Sequence, residues 1–238
     1  LLRQLDTLGA TAKGHPALTA FYQSEEQAYD MILGDGAKVF DLSEEQPELR
    51  SRYGHPPWSE TALLRFGQCC LVARRLVERG VPYITINDGG WDTHTENFRI
   101  MQQKLPELDQ GLATLLQDLA DRGLLDTTVV WWCGEFGRTP KIDWQPPWNG
   151  GRNHYGNVFS AVVAGGGFKG GTVVGASDAK GEEVQDRPVY PCDLLGSIYE
   201  LLGIDPDGPL PNPLGLALTV TPSKADGIPM AGRLKEIM

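Results

Sequence analysis

No apolar stretch in this chain approaches the ~20 residues needed to span a bilayer, and no secretory signal opens it. Cationic residues are also in deficit: 21 Lys and Arg stand against 31 Asp and Glu, a formal net charge of −10. That balance excludes a general surface for nucleic acid or anionic membrane, so any phosphate or sulfate contact must come from a local cationic site. Cysteine is scarce. Cys69, Cys70, Cys133 and Cys192 show neither zinc-ligand spacing nor a small-domain disulfide framework. Cys69 and Cys70 fall inside a helical pattern and read as buried, inert thiols. Missing too are a Gly-x-Ser-x-Gly elbow, a Ser/His/Asp or Cys/His arrangement, and the Walker and Rossmann glycine patterns. Cys133 ends an apolar run, and packing explains it. The chain shows no covalent nucleophile.

What is present is a succession of helical and extended patterns, in a length of 238 residues that suits one large domain. Residues 1–57 read as a lead-in. It holds two helical pieces broken around Gly14-His15-Pro16, the second with an apolar face of Ala17, Phe21, Ala28, Ile32 and Leu33. A mostly irregular connector over residues 35–57 follows. His15 and His55 each precede a proline in polar surroundings and read as surface histidines. A core over residues 58–204 begins with a helix at 61–79, where Leu63, Leu64, Cys70, Ala73, Leu76 and Val77 recur at helical spacing and Gly80 supplies the stop. The β-branched and aromatic residues 81–86 predict a strand with its proline at the entrance.

Phe98, Met101, Leu105, Leu108, Leu112, Leu115 and Leu119 recur in steps of three and four. They predict a helix packed on a sheet, bent or restarted at Pro106 and ended by Gly123. Residues 127–133 predict a strand buried on both faces, and residues 157–164 a third strand closed by Gly165-Gly166-Gly167. Residues 169–175 read as a hairpin return or short edge strand, their glycines serving a turn rather than a phosphate cradle. A last helix starts at Pro191 and stops at Gly203. The Pro- and Gly-rich tail, residues 205–238, is expected to wrap the surface. Helix running into strand and strand into helix is the grammar of a parallel sheet, so the expected fold class is α/β.

The chemistry gathers in three loops that follow extended runs, where open α/β sheets keep their ligand sites. In Asn87-Asp88-Gly89-Gly90-Trp91-Asp92-Thr93-His94, Asp92 and His94 lie two apart, and on extended chain both side chains converge on one side. A carboxylate with an imidazole suits zinc, manganese or iron better than calcium, which prefers oxygen ligands. Taken alone, the plainer reading is an Asp capping the next helix beside a surface histidine. Glu135, between Gly134 and Gly137, reads as a ligand, a general base, or an ion-pair partner of Arg138. Arg138 has the planar fork that holds a tetrahedral anion, with Thr139 and Lys141 as weaker candidates. His154 lies in Gly150-Gly151-Arg152-Asn153-His154-Tyr155. Together the three loops point to one metal-centred anion site.

Several stretches carry a family resemblance: Gly90-Trp91-Asp92-Thr93-His94 with Asn97-Phe98, Leu105-Pro106-Glu107-Leu108-Asp109, residues 122–130, 134–140, 151–154 and 164–171. Through most of residues 50–205 the chain closely resembles the bacterial family catalogued as domain of unknown function 1501, which is placed with alkaline-phosphatase-like enzymes such as sulfatases and phosphodiesterases. The resemblance implies a three-layer α/β/α fold with a mostly parallel sheet. It also implies a divalent-metal site, zinc first, with manganese, iron or calcium as alternatives, and a small phosphate- or sulfate-ester substrate. Laid on this chain, the pattern gives Asp92, His94 and His154 to a first metal. Glu135 stands at the second, where Phe136 replaces an imidazole. The nucleophile of such enzymes comes from a first strand that lies upstream, as does an export signal. By resemblance, then, this chain is the C-terminal portion of a longer periplasmic or exported hydrolase, lacking its first strand. A degenerate binding or scaffold domain is the alternative.

Overall fold

The computed structural model describes residues 26, 29, 34–54, 65–212 and 214–238. The helical pieces of the lead-in with their face of Ala17, Phe21, Ala28, Ile32 and Leu33, the loop histidines His15 and His55, and the helical start at Leu63 and Leu64 lie outside the described residues. The connector expected to be mostly irregular carries regular turns over its described residues, 35–54. It holds two 3-10 turns, Asp35–Phe40 and Leu42–Glu44, and a short helix α1 (Pro47–Tyr53) that Pro47 opens at a position where its missing N–H costs nothing. Helix α2 (Phe66–Glu78) follows, and α3 (Asn97–Asp121) runs through Pro106 without restarting. The last helix is α4 (Pro191–Leu201). Gly80, Gly123 and Gly203, placed just past three of these helices, all take positive φ, the left-handed stop that a side chain resists.

Tyr53, Cys70, Leu71, Leu115 and Leu119 form the first core cluster, where α1, α2 and α3 meet. Each large apolar side chain sealed there contributes about 1.5–3 kcal/mol. The approach is close enough that a Cβ on Gly67 would lie 1.7 Å from the Tyr53 carbonyl oxygen. Cys70 is fully buried, which pushes its thiol up to about 12, as expected of an inert packing group. The apolar stripe of α3 is used unevenly. Leu108, Leu115 and Leu119 are buried, whereas Phe98 and Leu105 are exposed, and Leu105, Leu108 and Leu112 line an open apolar groove shared with Trp132 and Val162.

Charge is buried between the same helices. The Arg74 side chain is only 2% exposed, with Glu45 and Asp118 at 2.7 and 2.9 Å, and its Nη1 donates to Glu78 at 2.5 Å. The Glu45 and Asp118 approaches are charge contacts short of hydrogen-bond alignment. Tyr53 Oη and Arg122 Nε donate to the two oxygens of Asp118, and Arg75 donates to Glu44, Glu45 and the Val39 carbonyl. Burial alone would raise the Asp118 carboxyl. Hydrogen bonds from Arg122 and Tyr53 and the charge of Arg74 outweigh it and hold the group below its ordinary value. Burial and the Asp118 charge push the Tyr53 hydroxyl well up.

The expected mostly parallel three-layer α/β/α fold is not what the described residues form. Their strands make three two-stranded antiparallel pairs: β1 (Val130–Cys133) with β4 (Ala161–Ala164), β2 (Gly137–Arg138) with β3 (His154–Tyr155), and β5 (Ala176–Ser177) with β6 (Val184–Asp186). A parallel pair needs a crossover of a dozen or more residues, usually a helix, and between β1 and β4 the chain offers only the β2–β3 ribbon and loops. The strand expected at residues 81–86 is absent: Ile84 and Ile86 turn inward while Tyr83 is 84% exposed, so the period-two burial survives without a neighbouring ladder. Strand β1 is not buried on both faces, because Trp131 on its outer side is 45% exposed. The return expected at residues 169–175 is a turn followed by unpaired chain, with the short β5–β6 pair after it.

The tail departs from a simple surface wrap. Leu234 and Ile237 join Phe168, Leu194 and Ile198 in a second core cluster. Asp193, itself fully buried, accepts from the backbone N–H groups of Tyr190, Ala231 and Gly232, and Ser197 Oγ accepts from Leu234 N–H.

Candidate metal centre

The β2–β3 ribbon pairs Arg138 with His154 and Gly137 with Tyr155, which sets Arg138 and His154 side by side. The Asp92 loop is held against that ribbon from two directions. Arg138 Nη2 donates to the Trp91 carbonyl at 3.2 Å and to Asp92 Oδ1 at 2.7 Å. From α3, Lys104 Nζ donates to the Gly89 carbonyl, pairs with Asp88 Oδ2 at 3.2 Å, and sits 4.8 Å above the Trp91 ring, whose Nε1 also donates to Asp88. Within the loop, Thr93 N–H donates to the Trp91 carbonyl and His94 N–H to the Asp92 carbonyl. Two successive tight turns, rather than extended chain, therefore bring Asp92 and His94 together.

Close backbone contact completes the join. A Cβ on Gly151 would stand 1.9 Å from the His94 carbonyl oxygen and 2.7 Å from its carbon. Neither is the end of a flexible side chain. Gly151→Ala is expected to push the His154 segment off the Asp92 loop at a cost of about 1–3 kcal/mol. Metal binding should weaken while helical circular dichroism is retained; equal affinity in the variant would contradict the close-approach argument.

Asp92, His94 and His154 form a group whose ligand atoms face one another. Asp92 Oδ1 lies 2.9 Å from His94 Nε2 and 2.8 Å from His154 Nε2, and the two nitrogens are 3.2 Å apart. Donors around a four-coordinate zinc with ~2.0 Å bonds stand ~3.3 Å apart, so this triangle needs only slight opening to take the ion. The hydrogen bond to His154, then that to Arg138, pulls the Asp92 carboxyl down to about 2, so it is ionised across the neutral range. His94 Nδ1 stands 3.0 Å from Asn153 Oδ1, an acceptor, which places the proton of a neutral ring on Nδ1. Nε2 then turns a lone pair toward an ionised oxygen. Such a contact is relieved only by a cation or a proton between the two, so the donor set fits a divalent metal. All three side chains are about half exposed, which leaves room for further ligands.

The other expected residues are placed differently. Glu135 is exposed and outside the group, and the ion pair weighed for Arg138 is made with Asp92 instead. Phe136, in the place of an imidazole, lays its ring 4.3 Å from that of His154 and backs it. Thr139 ties the ribbon, accepting from Asn153 N–H and donating to the Lys141 carbonyl. Burial pushes the Cys133 thiol up, in keeping with packing. Asn153, Asp143 and Lys104 hold the site and stood out nowhere in the sequence, although Asn153 directly precedes His154.

No curated protein and no solved structure matches the chain. Over residues 1–229 it matches the family described as protein of unknown function (DUF1501), and it belongs to that family.

Proposed function

We propose that this chain carries a mononuclear divalent-metal centre that serves hydrolysis of a small phosphate or sulfate ester in the full-length protein. The observation that supports it best is the facing triangle of Asp92 Oδ1, His94 Nε2 and His154 Nε2, with edges of 2.8 to 3.2 Å. Three protein ligands with an open position are the pattern of catalytic rather than structural zinc. Zinc is the first choice, with manganese, iron or calcium as alternatives; the cation would supply Lewis-acid stabilisation of charge developing on the ester oxygens. Arg138, beside the triangle, adds the local positive charge that a chain of net charge −10 otherwise lacks for an anion. The ester class rests on the resemblance to alkaline-phosphatase-like enzymes, and export to the periplasm rests on it too.

A second reading, a metal-held but non-catalytic binding domain, is favoured by one observation. Arg138 already donates to Asp92 and to the Trp91 carbonyl, so it holds an anion only by giving up part of these contacts. Metal analysis and a panel of phosphate and sulfate esters, both on the full-length protein, separate the two. Hydrolysis requires a bound metal, turnover, and loss of turnover with metal retained in Arg138→Met. A metal-loaded full-length protein that turns over no ester supports the binding domain.

A further inference from the structure

We propose that Asp143 and Asn153 are positioning residues that fix the His94 tautomer, and with it the readiness of the site for a metal. This rests on the metal-centre reading above and adds to it. Asn153 Nδ2 donates to Asp143 Oδ2 at 3.1 Å, while Asn153 Oδ1 lies 3.0 Å from His94 Nδ1. A carboxylate only accepts, so the amide has one allowed orientation: turned over, it would set its oxygen against the Asp143 carboxylate. The oxygen that faces His94 must in turn accept, so the ring proton is held on Nδ1 and Nε2 is left bare toward Asp92 and His154.

Asp143 is itself held. Its N–H donates to the Gly151 carbonyl, and its own carbonyl accepts from Gly150 and Gly151 N–H groups, closing the loop that carries Trp144 and Trp148. Asn153 is tied at its backbone as well, through Thr139. The relay thus runs from a closed loop, through one amide, to the imidazole. Outer partners of this kind orient a ligand ring and raise its basicity, and their loss typically weakens metal binding about 10- to 100-fold.

Zinc titration by calorimetry on the full chain, with Asn153→Leu and the paired exchange Asp143→Asn with Asn153→Asp, tests the relay. Asn153→Leu should bind zinc about 10- to 100-fold more weakly, whereas the exchange, which puts the amide donor at position 143 and a carboxylate that accepts from Nδ1–H at position 153, should bind near wild type. Asn153→Leu binding as tightly as wild type, or the exchange as weakly as Asn153→Leu, overturns the proposal. The nitrogen chemical shifts of His94 in the unsubstituted chain at about pH 8, above the ordinary histidine range, give a second readout independent of folding in the variants. A proton on Nδ1 supports the relay, and a proton on Nε2 overturns it. An unsubstituted chain that takes up neither zinc nor manganese ends the metal reading, and the tautomer still decides the relay.

Discussion

His154→Ala should bind zinc at least about a hundredfold more weakly than the unsubstituted chain, with little change in thermal midpoint. Structural zinc sites are worth roughly 10–16 kcal/mol over four ligands, or about 3 kcal/mol apiece, so the loss of one of three is large on any affinity scale. The substitution also removes the hydrogen bond that contributes most to holding the Asp92 carboxyl down. Stability is spared because the His154 side chain is 50% exposed and belongs to neither core cluster. A calorimetric titration and a melting curve on the same sample separate the two effects. Unchanged zinc affinity would remove His154 from the ligand set, and a collapse of the melting curve would mean that its packing on Phe136 matters more than its nitrogen.

Arg74→Met should cost about 3–5 kcal/mol of folding stability, a large share of the 5–15 kcal/mol that a typical domain has. The methionine fills much of the space but takes from buried Asp118 and half-buried Glu45 one of the two cations that each faces, leaving Arg122 and Arg75. Urea denaturation measures the difference, and a change below about 1 kcal/mol would show that Arg122, Arg75 and Tyr53 suffice for those carboxylates. The same network gives a pH signature. Asp118 and Glu45 are both held below their ordinary values in the folded chain. A depressed carboxylate stabilises the fold fully above its unfolded pKa, near ~3.9 for Asp and ~4.3 for Glu, and the contribution drains away as pH falls through the lower folded values. The unsubstituted chain should therefore lose stability below about pH 4, and Arg74→Met, with less depression to lose, should lose less there.

Helices were legible because their evidence is local. The recurrence of Cys70, Ala73 and Val77, and of Leu108, Leu115 and Leu119, needs only the chain's own period, and Gly80, Gly123 and Gly203 mark the stops. Sheet topology was not, since residues 81–86 announce an extended, half-buried segment but say nothing about what lies beside it. The buried charges were hidden for another reason. Arg74 and Arg75 fall where an arginine is ordinarily solvated, and only the convergence of Glu44, Glu45, Glu78 and Asp118 makes their burial tolerable. At the site, residue type carried far: a carboxylate and two imidazoles on glycine-flanked loops suggested a common centre, and the structure places Asp92, His94 and His154 within reach of one ion. Glu135 fits the same chemical description and lies apart, because composition does not say which way a loop turns. Asn153 escaped notice since an amide acquires its meaning from two partners, Asp143 and His94, and the second is 59 residues away.

The anchoring of the tail has a bearing on where this chain can be shortened. The family match stops at residue 229, so a boundary drawn from sequence similarity alone would fall just before the segment that Asp193 and Ser197 hold. Trimming there strips two of the three amides from a buried carboxylate and uncovers Leu194 and Ile198 on α4. Residues 231–237 work as a hasp on the last helix, and a proteolytic nick before them would release far more than a loose end.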